Sequence, residues 1–155
     1  MSRSDIFLES GKGRIIAAVA IAVMILVMSA GDLTRNISDD FGFYFANGWF
    51  ISQGMLPYED FFTHKTPLFP VAIAGWTMVF GTSFFSAWLL KLTIVGILTG
   101  VAYFSARKMD MARTTAMIAA TLTAFFSASH VIELKDNGII VVFASIFELV
   151  AIAST

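Results

Sequence analysis

Long apolar runs alternate with short polar stretches along this chain. Ile15 to Ala30 contains no charged residue and, at ~1.5 Å per residue, covers about 24 Å, so neighbouring residues must extend it across a ~30 Å hydrocarbon core. Phe84 to Ala106 is long enough to cross, whereas Pro67 to Phe80 is short, as re-entrant or interfacial segments are. The pattern predicts spans at 15–31, 84–106, 114–129 and 138–155, an outer loop with juxtamembrane helices at 32–83, and polar segments at 1–14, 107–113 and 130–137.

Composition places the chain among membrane proteins. Hydrophobic residues make up 57% and charged residues 14% of the 155 residues, with a mean hydropathy of +0.80, whereas soluble domains carry roughly 25% charged residues. We therefore predict an all-α integral membrane protein with about four transmembrane helices, located in a plasma or inner membrane and in contact with the lipid bilayer. The net charge of -1 and the lack of a basic tract give no reason to expect nucleic acid as a partner, and the chain has no cysteine for disulfides or thiolate sites.

Basic residues decide the predicted orientation. Arg3, Lys12 and Arg14 precede the first run, and a compact basic loop occupies 107–113. The positive-inside rule places both in the cytoplasm and the loop at 32–83 outside. This topology requires that 67–80 does not cross; if it crosses, the basic loop lies outside. A cleaved signal peptide is the alternative for the first run, but Met28 is a poor residue three positions before a cut at its end.

Two adjacent carboxylates, Asp39 and Asp40, begin the aromatic part of the outer loop. Such a pair can coordinate a cation or take a proton from a substrate. The alternative is that Ser38, Asp39 or Asp40 caps a short helix by accepting hydrogen bonds from its free N–H groups. The two interpretations are compatible.

Aromatic residues after this pair predict a juxtamembrane helix. Rings at headgroup depth are typical of such helices, and Gly54 is expected to end this one. The stretch 56–60, Leu-Pro-Tyr-Glu-Asp, predicts a turn. The predicted aromatic face consists of Phe41, Phe45, Trp49 and Phe50, widened by Phe43 and Tyr44.

Several further ionisable residues lie at or inside the predicted membrane boundary. His64 and Lys65 could meet a lipid phosphate or could be ordinary interfacial residues. Lys91 lies inside a predicted span, so it is functional or paired, unless it extends to the outer headgroups. Glu133 and Asp136 belong to a second outer charged loop that could simply be solvated. Glu148, within the last apolar run, needs a partner that the sequence does not name.

The order of motifs in the outer loop resembles the N-terminal module of the GT-C superfamily. These multi-span glycosyltransferases use polyprenyl-phosphate sugars and include protein O-mannosyltransferase-like enzymes and the lipid A aminoarabinose transferases. The shared pattern is D-D-x-x-x-Y, then G-x-x-P-Y-x-D-F, then H-K-x-P-L, with Phe80-Gly81 and Arg107-Lys108 as supporting features. The residues that carry most of it are Gly54, Pro57, Tyr58, Asp60, Phe61, Lys65, Pro67 and Leu68.

The resemblance implies roles for individual residues. Asp40 matches the family's catalytic acid, and Phe41 stands where a Glu is expected, which leaves Asp39 as a substitute. Lys65, with His64 beside it, would hold the donor phosphate. Lys91 would assist there, and Asp136 or Glu133 would supply a second acid. The implied reaction is an inverting transfer of sugar from a polyprenyl phosphate to a hydroxyl of a lipid, glycan or protein on the outer side.

No cofactor is implied with certainty, and a divalent cation on Asp39 and Asp40 is one option, because the family is mixed in metal dependence. We expect these 155 residues to be the N-terminal part of a longer enzyme, since the last run is still apolar at Thr155. The competing interpretation is a non-enzymatic multi-span protein, either a carrier of lipid-linked sugar or an assembly subunit, in which the loop acids are helix caps.

Overall fold

The described part of the chain is all-helical. The computed structural model describes residues 10–30, 39–63 and 68–130, and for 39–41 and 128–130 it describes the backbone alone. Within these residues the structure contains no strand, only an isolated bridge between Pro57 and Phe61. The all-α prediction is confirmed for this part of the chain. The five helices are α1 (Gly11–Ala30), α2 (Asp39–Ser52), α3 (Leu68–Phe80), α4 (Phe84–Lys108) and α5 (Arg113–His130).

Helix α1 begins four residues before the predicted start of the first span. The hydroxyl of Ser10 accepts a hydrogen bond of 3.0 Å from the N–H of Gly13, which is the standard N-cap arrangement. The added turn takes in Lys12 and Arg14 and brings the helix to 20 residues. At ~1.5 Å per residue this length is about 30 Å, the thickness of a hydrocarbon core.

Two of the described helices, α1 and α4, are long and apolar enough to cross a membrane. Helix α5 has 18 residues but is less apolar, because Arg113 and several threonines and serines interrupt it. Helix α3 has 13 residues and a length of about 20 Å, short of the ~30 Å core. Of the four predicted spans, those at 15–31 and 84–106 therefore correspond to helices that are long and apolar enough to cross. The predicted span at 138–155 lies outside the described residues.

The helices form two closely packed pairs. Helix α5 packs along α4, α3 packs along α2, and α1 lies against α5 and α4. The indole N–H of Trp88 on α4 donates a 3.0 Å hydrogen bond to the carbonyl of Ser29, which fastens the end of α1 to α4. Buried apolar residues including Ile25, Leu90 and Val95 form the core.

Large apolar side chains remain exposed along the outer faces of the helices. In a water-soluble monomer such extended apolar surface is rare, whereas a bilayer solvates it. Its distribution supports a membrane location for the bundle. Examples are Ile16, Val19, Val23 and Val27 on α1, Val79 on α3, Phe104 on α4, and Ile118, Leu122 and Phe126 on α5.

Helix α2 does not present its aromatic residues on one outward face. Tyr44 and Phe45 are buried inside the protein, while Trp49 is exposed. The ring of Tyr44 meets that of Phe69 edge-on at 5.3 Å. The predicted aromatic face is therefore split, because α3 covers one side of α2.

Glycine at position 48 sets the distance between α2 and α3. A Cβ atom there would lie 2.4 Å from Cγ2 and 2.6 Å from Cβ of Ile73, and 3.1 Å from the carbonyl oxygen of Pro70. Carbon atoms in ordinary contact stay ~3.5–4.0 Å apart. The two helices can approach this closely because residue 48 has no side chain.

Candidate functional site

The acidic pair of the outer loop lies at the beginning of α2. The helix starts at Asp39, so Asp39 and Asp40 both belong to its first turn. Free N–H groups and the positive end of the helix dipole favour carboxylates at this position. The side chains of both residues lie outside the described part, so capping and catalytic roles both stay predictions.

Gly54 ends α2, as predicted from the sequence. Its N–H donates to the carbonyl of Ile51 at 2.9 Å, and the N–H of Met55 donates to the carbonyl of Phe50 at 3.1 Å. This pair of bonds is the Schellman motif, in which the residue after the C-cap takes a left-handed conformation. Gly54 has φ of 87°, which glycine adopts without the steric cost of a Cβ.

The predicted turn at 56–60 closes on itself through Asp60. The Asp60 carboxylate accepts a hydrogen bond of 2.7 Å from the N–H of Leu56, and the Asp60 N–H donates to the Leu56 carbonyl at 2.9 Å. The N–H of Tyr58 donates to the carbonyl of Phe61 at 3.0 Å. Asp60 therefore has a structural role, and the same carboxylate is a poor candidate for a catalytic base.

Tyr58 lies at the tip of this loop in a backbone conformation that residues other than glycine rarely adopt. Its φ is 70°, and the side chain is exposed. Such left-handed residues cost of order 1 kcal/mol or more. Leu56 and Phe62 are exposed near it, so the loop presents an apolar and aromatic surface to its surroundings.

Two contacts anchor the far end of the loop to α2. The side-chain amide of Asn47 donates a 3.2 Å hydrogen bond to the hydroxyl of Thr63, and both residues are 2% exposed. The ring of Phe61 lies 5.2 Å from that of Phe50. Thr63 is thereby fixed against the middle of α2.

The residues that follow this anchor are those assigned to the donor phosphate. His64, Lys65 and Pro67 lie outside the described residues, as do Glu133 and Asp136 of the second outer loop. In the part that the structure describes, no group of three or more histidine or acidic side chains could hold a metal ion. The cation option on Asp39 and Asp40 stays a prediction.

Lys91 is buried within the helix bundle. Only 8% of its surface is exposed, and its neighbours one turn away on α4, Ala87 and Val95, are also buried. The side chain thus lies on the protein-facing side of α4. This position favours a functional or paired lysine over one that reaches the headgroups along the lipid-facing surface.

No protein-family model matches this chain, and no curated protein or solved structure matches it either. The resemblance to glycosyltransferases therefore rests on the sequence motifs alone.

Asn47 and Thr63 are site residues that the sequence pattern did not single out. Asn47 is the one amide side chain in the aromatic helix, between Phe45 and Trp49. A buried polar residue of this kind needs a hydrogen-bond partner, which is a signal that sequence reasoning could have used. The partner itself could not be named, because Thr63 is 16 residues away.

Proposed function

We propose that this chain is the donor-engaging, N-terminal part of a membrane glycosyltransferase that uses polyprenyl-phosphate sugars. The observation that supports the proposal best is the anchored loop after α2. Gly54 and Asp60, two residues that carry the sequence resemblance, each have a defined task in building it. The loop thus links the acidic start of α2 to the His64-Lys65 pair by a compact, hydrogen-bonded unit.

The anchor also limits how far the proposed base, Asp40, can lie from the proposed phosphate-binding lysine, Lys65. Asn47 follows Asp40 by seven residues, about 10 Å along the helix at ~1.5 Å per residue. Thr63 is bonded to Asn47, and Lys65 is two residues further along the chain. We therefore propose that Asp40 and Lys65 contact the same donor molecule.

In the proposed reaction Asp40, or Asp39 in its place, removes the proton of an acceptor hydroxyl. The hydroxyl oxygen forms a bond to the anomeric carbon as the bond from that carbon to the phosphate oxygen breaks. The electron pair leaves with the polyprenyl phosphate, and the charges of Lys65 and Lys91 stabilise it. Attack from the face opposite the leaving group inverts the anomeric configuration. A divalent cation on the acidic pair could add to this stabilisation.

The proposed topology places this chemistry on the outer side of the membrane. The N-terminus and the 109–112 turn between α4 and α5 lie in the cytoplasm, and α2 and α3 lie at the outer surface. Arg107 and Lys108 in the last turn of α4 agree with a cytoplasmic turn under the positive-inside rule. The length of α3, about 20 Å, agrees with a segment that does not cross.

A non-enzymatic membrane protein is the second candidate, either a carrier of lipid-linked sugar or an assembly subunit. The start of α2 at Asp39 favours it, because acids in the first helical turn have a sufficient structural reason. Such a protein would need no base at Asp40.

Asp40→Asn separates the two candidates. We expect the variant of the complete gene product, in membranes, to lose sugar transfer by about a hundredfold or more, as removal of a general base does. Binding of the polyprenyl-phosphate donor should persist. Glu59→Gln is the matched control, since Glu59 is an exposed acid of the loop after α2 whose side chain has no hydrogen bond among the described residues. Equal transfer by Asp40→Asn and wild type would refute the enzyme proposal.

A further inference from the structure

A groove of about 570 Å³ lies between α1, α4 and α5. Apolar side chains form most of its walls, and Arg14 is the one charged residue among those that line it. None of its lining residues belongs to α2, α3 or the loop after α2, so the proposed sugar transfer does not use it. Lining residues from the three helices include Ala18, Ile25, Gly96, Tyr103, Phe104 and Ala120.

The hydrogen bond from Trp88 to Ser29 shows which parts of α1 and α4 lie level with each other. Fifteen residues before Ser29 on α1 is Arg14, and fifteen residues after Trp88 on α4 is Tyr103. Because both helices rise by ~1.5 Å per residue, Arg14 and Tyr103 lie at about the same depth. Both line the groove, so a guanidinium and a phenol hydroxyl lie at one end of it.

The polar groups at this end of the groove suit a phosphate. Arg14 is exposed, and no hydrogen bond or ion pair joins its side chain to another residue that the structure describes. The hydroxyl of the half-buried Tyr103 likewise has no hydrogen bond within the described residues. An arginine can donate two parallel hydrogen bonds to phosphate oxygens, and a tyrosine hydroxyl can donate a third.

Cations outnumber acids around this end of the bundle. Asp110 is the one acid within 10–14 and 107–113, which together hold five basic residues. Under the proposed topology this end faces the cytoplasm, where basic pockets between transmembrane helices bind anionic lipid headgroups. The basic residues are Lys12, Arg14, Arg107, Lys108 and Arg113.

The length and openness of the groove fit a lipid acyl chain. From Arg14 to Ile25 is eleven residues, about 16 Å along α1, which is close to half of a ~30 Å hydrocarbon core. A helix that crosses the membrane needs about twice this length, whereas a chain of one leaflet matches it. Ala18, Ala22 and Phe104 in the walls are exposed, so the groove opens on the surface of the bundle.

We propose that this groove binds one anionic phospholipid. An acyl chain lies along the groove between α1 and α4, and the headgroup phosphate accepts hydrogen bonds from Arg14 and Tyr103. The site depends on the membrane location of the bundle and is independent of the proposed sugar transfer.

Native mass spectrometry of the purified full chain tests the headgroup contact, with phosphatidylglycerol and phosphatidylcholine of identical acyl chains as probes. Wild type should bind the first phosphatidylglycerol about fivefold more tightly, the preference expected for one arginine near an anionic headgroup. Arg14→Gln should abolish this preference. Lys12→Gln is the matched control and should keep it, because Lys12 has the same charge in the same turn of α1 but does not line the groove.

Tyr103→Phe separates the hydroxyl from the charge. Both probe lipids contain a phosphate, so this variant should weaken the binding of each about threefold, as loss of one hydrogen bond in a membrane does. The ratio between the two lipids should stay as in wild type.

Filling the groove tests the position of the acyl chain. A Cβ atom at Gly96 meets nothing within 4 Å, so Gly96→Leu places a side chain in the groove without a clash at its first atom. It should weaken both lipids about tenfold, because the acyl chain loses dispersion contacts with the walls. Ala22→Leu, from the α1 wall, should act in the same way. Gly75→Leu on α3 is the matched control, since Gly75 is also exposed and open but lies outside the groove.

Melting temperatures close to that of wild type show that the compared variants are folded. Equal loss of preference in Arg14→Gln and Lys12→Gln would refute the site, because the attraction would then come from surface charge in general. Unchanged binding in Gly96→Leu and Ala22→Leu would place the lipid outside the groove. A wild type without preference for phosphatidylglycerol would also overturn the proposal and leave the groove to neutral lipid or to another protein segment.

Discussion

The contact between α2 and α3 at Gly48 gives the sharpest stability prediction. In Gly48→Ala the new methyl carbon would lie 2.4 Å from Cγ2 and 2.6 Å from Cβ of Ile73. Ile73 is fully buried, and its Cβ cannot be moved by rotating the side chain. The two helices must therefore move apart by about 1 Å to restore a normal contact of ~3.5 Å.

The expected magnitude follows from two opposing effects. Overpacking a close-packed site lowers the unfolding free energy by up to about 3 kcal/mol. We expect Gly48→Ala to reach this upper end, because its neighbour Ile73 is β-branched and rigid. Replacing glycine by alanine inside a helix raises the unfolding free energy by about 1 kcal/mol, because alanine loses less backbone entropy on folding. The net result is a loss of about 2 kcal/mol of unfolding free energy, or about 4–8 °C in melting temperature for a chain of this size.

Gly75→Ala is the matched control in α3. A Cβ at Gly75 meets nothing within 4 Å, so the same chemical change should raise stability slightly instead of lowering it. Both variants can be compared with wild type by thermal unfolding of purified protein in detergent, followed by loss of the monomer peak in size-exclusion chromatography. A Gly48→Ala protein that melts at or above the temperature of Gly75→Ala would refute the close crossing of α2 and α3.

Two further predictions concern the ends of helices and loops. Asp110 follows α4 in a left-handed conformation, with φ of 58°. Asp110→Gly should raise the unfolding free energy by up to about 1 kcal/mol, because glycine adopts this conformation without a Cβ clash, whereas the β-branched side chain of Asp110→Val should lower it. Thermal unfolding of the two variants checks both signs. Asp60→Ala removes the acceptor for the Leu56 N–H and should make the loop open more often, about fivefold for a bond of ~1 kcal/mol. Chymotrypsin cleavage of the loop measures this, with Glu59→Ala as the control; equal cleavage rates would contradict the role of Asp60.

Local features of the fold could be predicted from the sequence because their signals lie within a few residues. Gly54 ends α2 since a left-handed residue is needed there, and the Pro-Tyr-Glu-Asp stretch forms a turn that its own Asp60 closes. The lengths of the apolar runs predicted that α4 could cross a membrane and that α3 is short. The charge pattern predicted the acidic start of α2, which begins at Asp39.

Tertiary structure alone decided which surfaces meet. Aromatic residues occur all around α2, so the sequence pattern could not show that Gly48 passes against Ile73 while Trp49 stays exposed. The Trp88 to Ser29 hydrogen bond joins residues 59 positions apart, and no local signal encodes such a pairing. Burial of Lys91 on the protein-facing side of α4 likewise depends on how the helices pack. A helix that contacts lipid on one side and protein on the other is apolar all round, so its hydrophobic periodicity is too weak to show which side faces the protein.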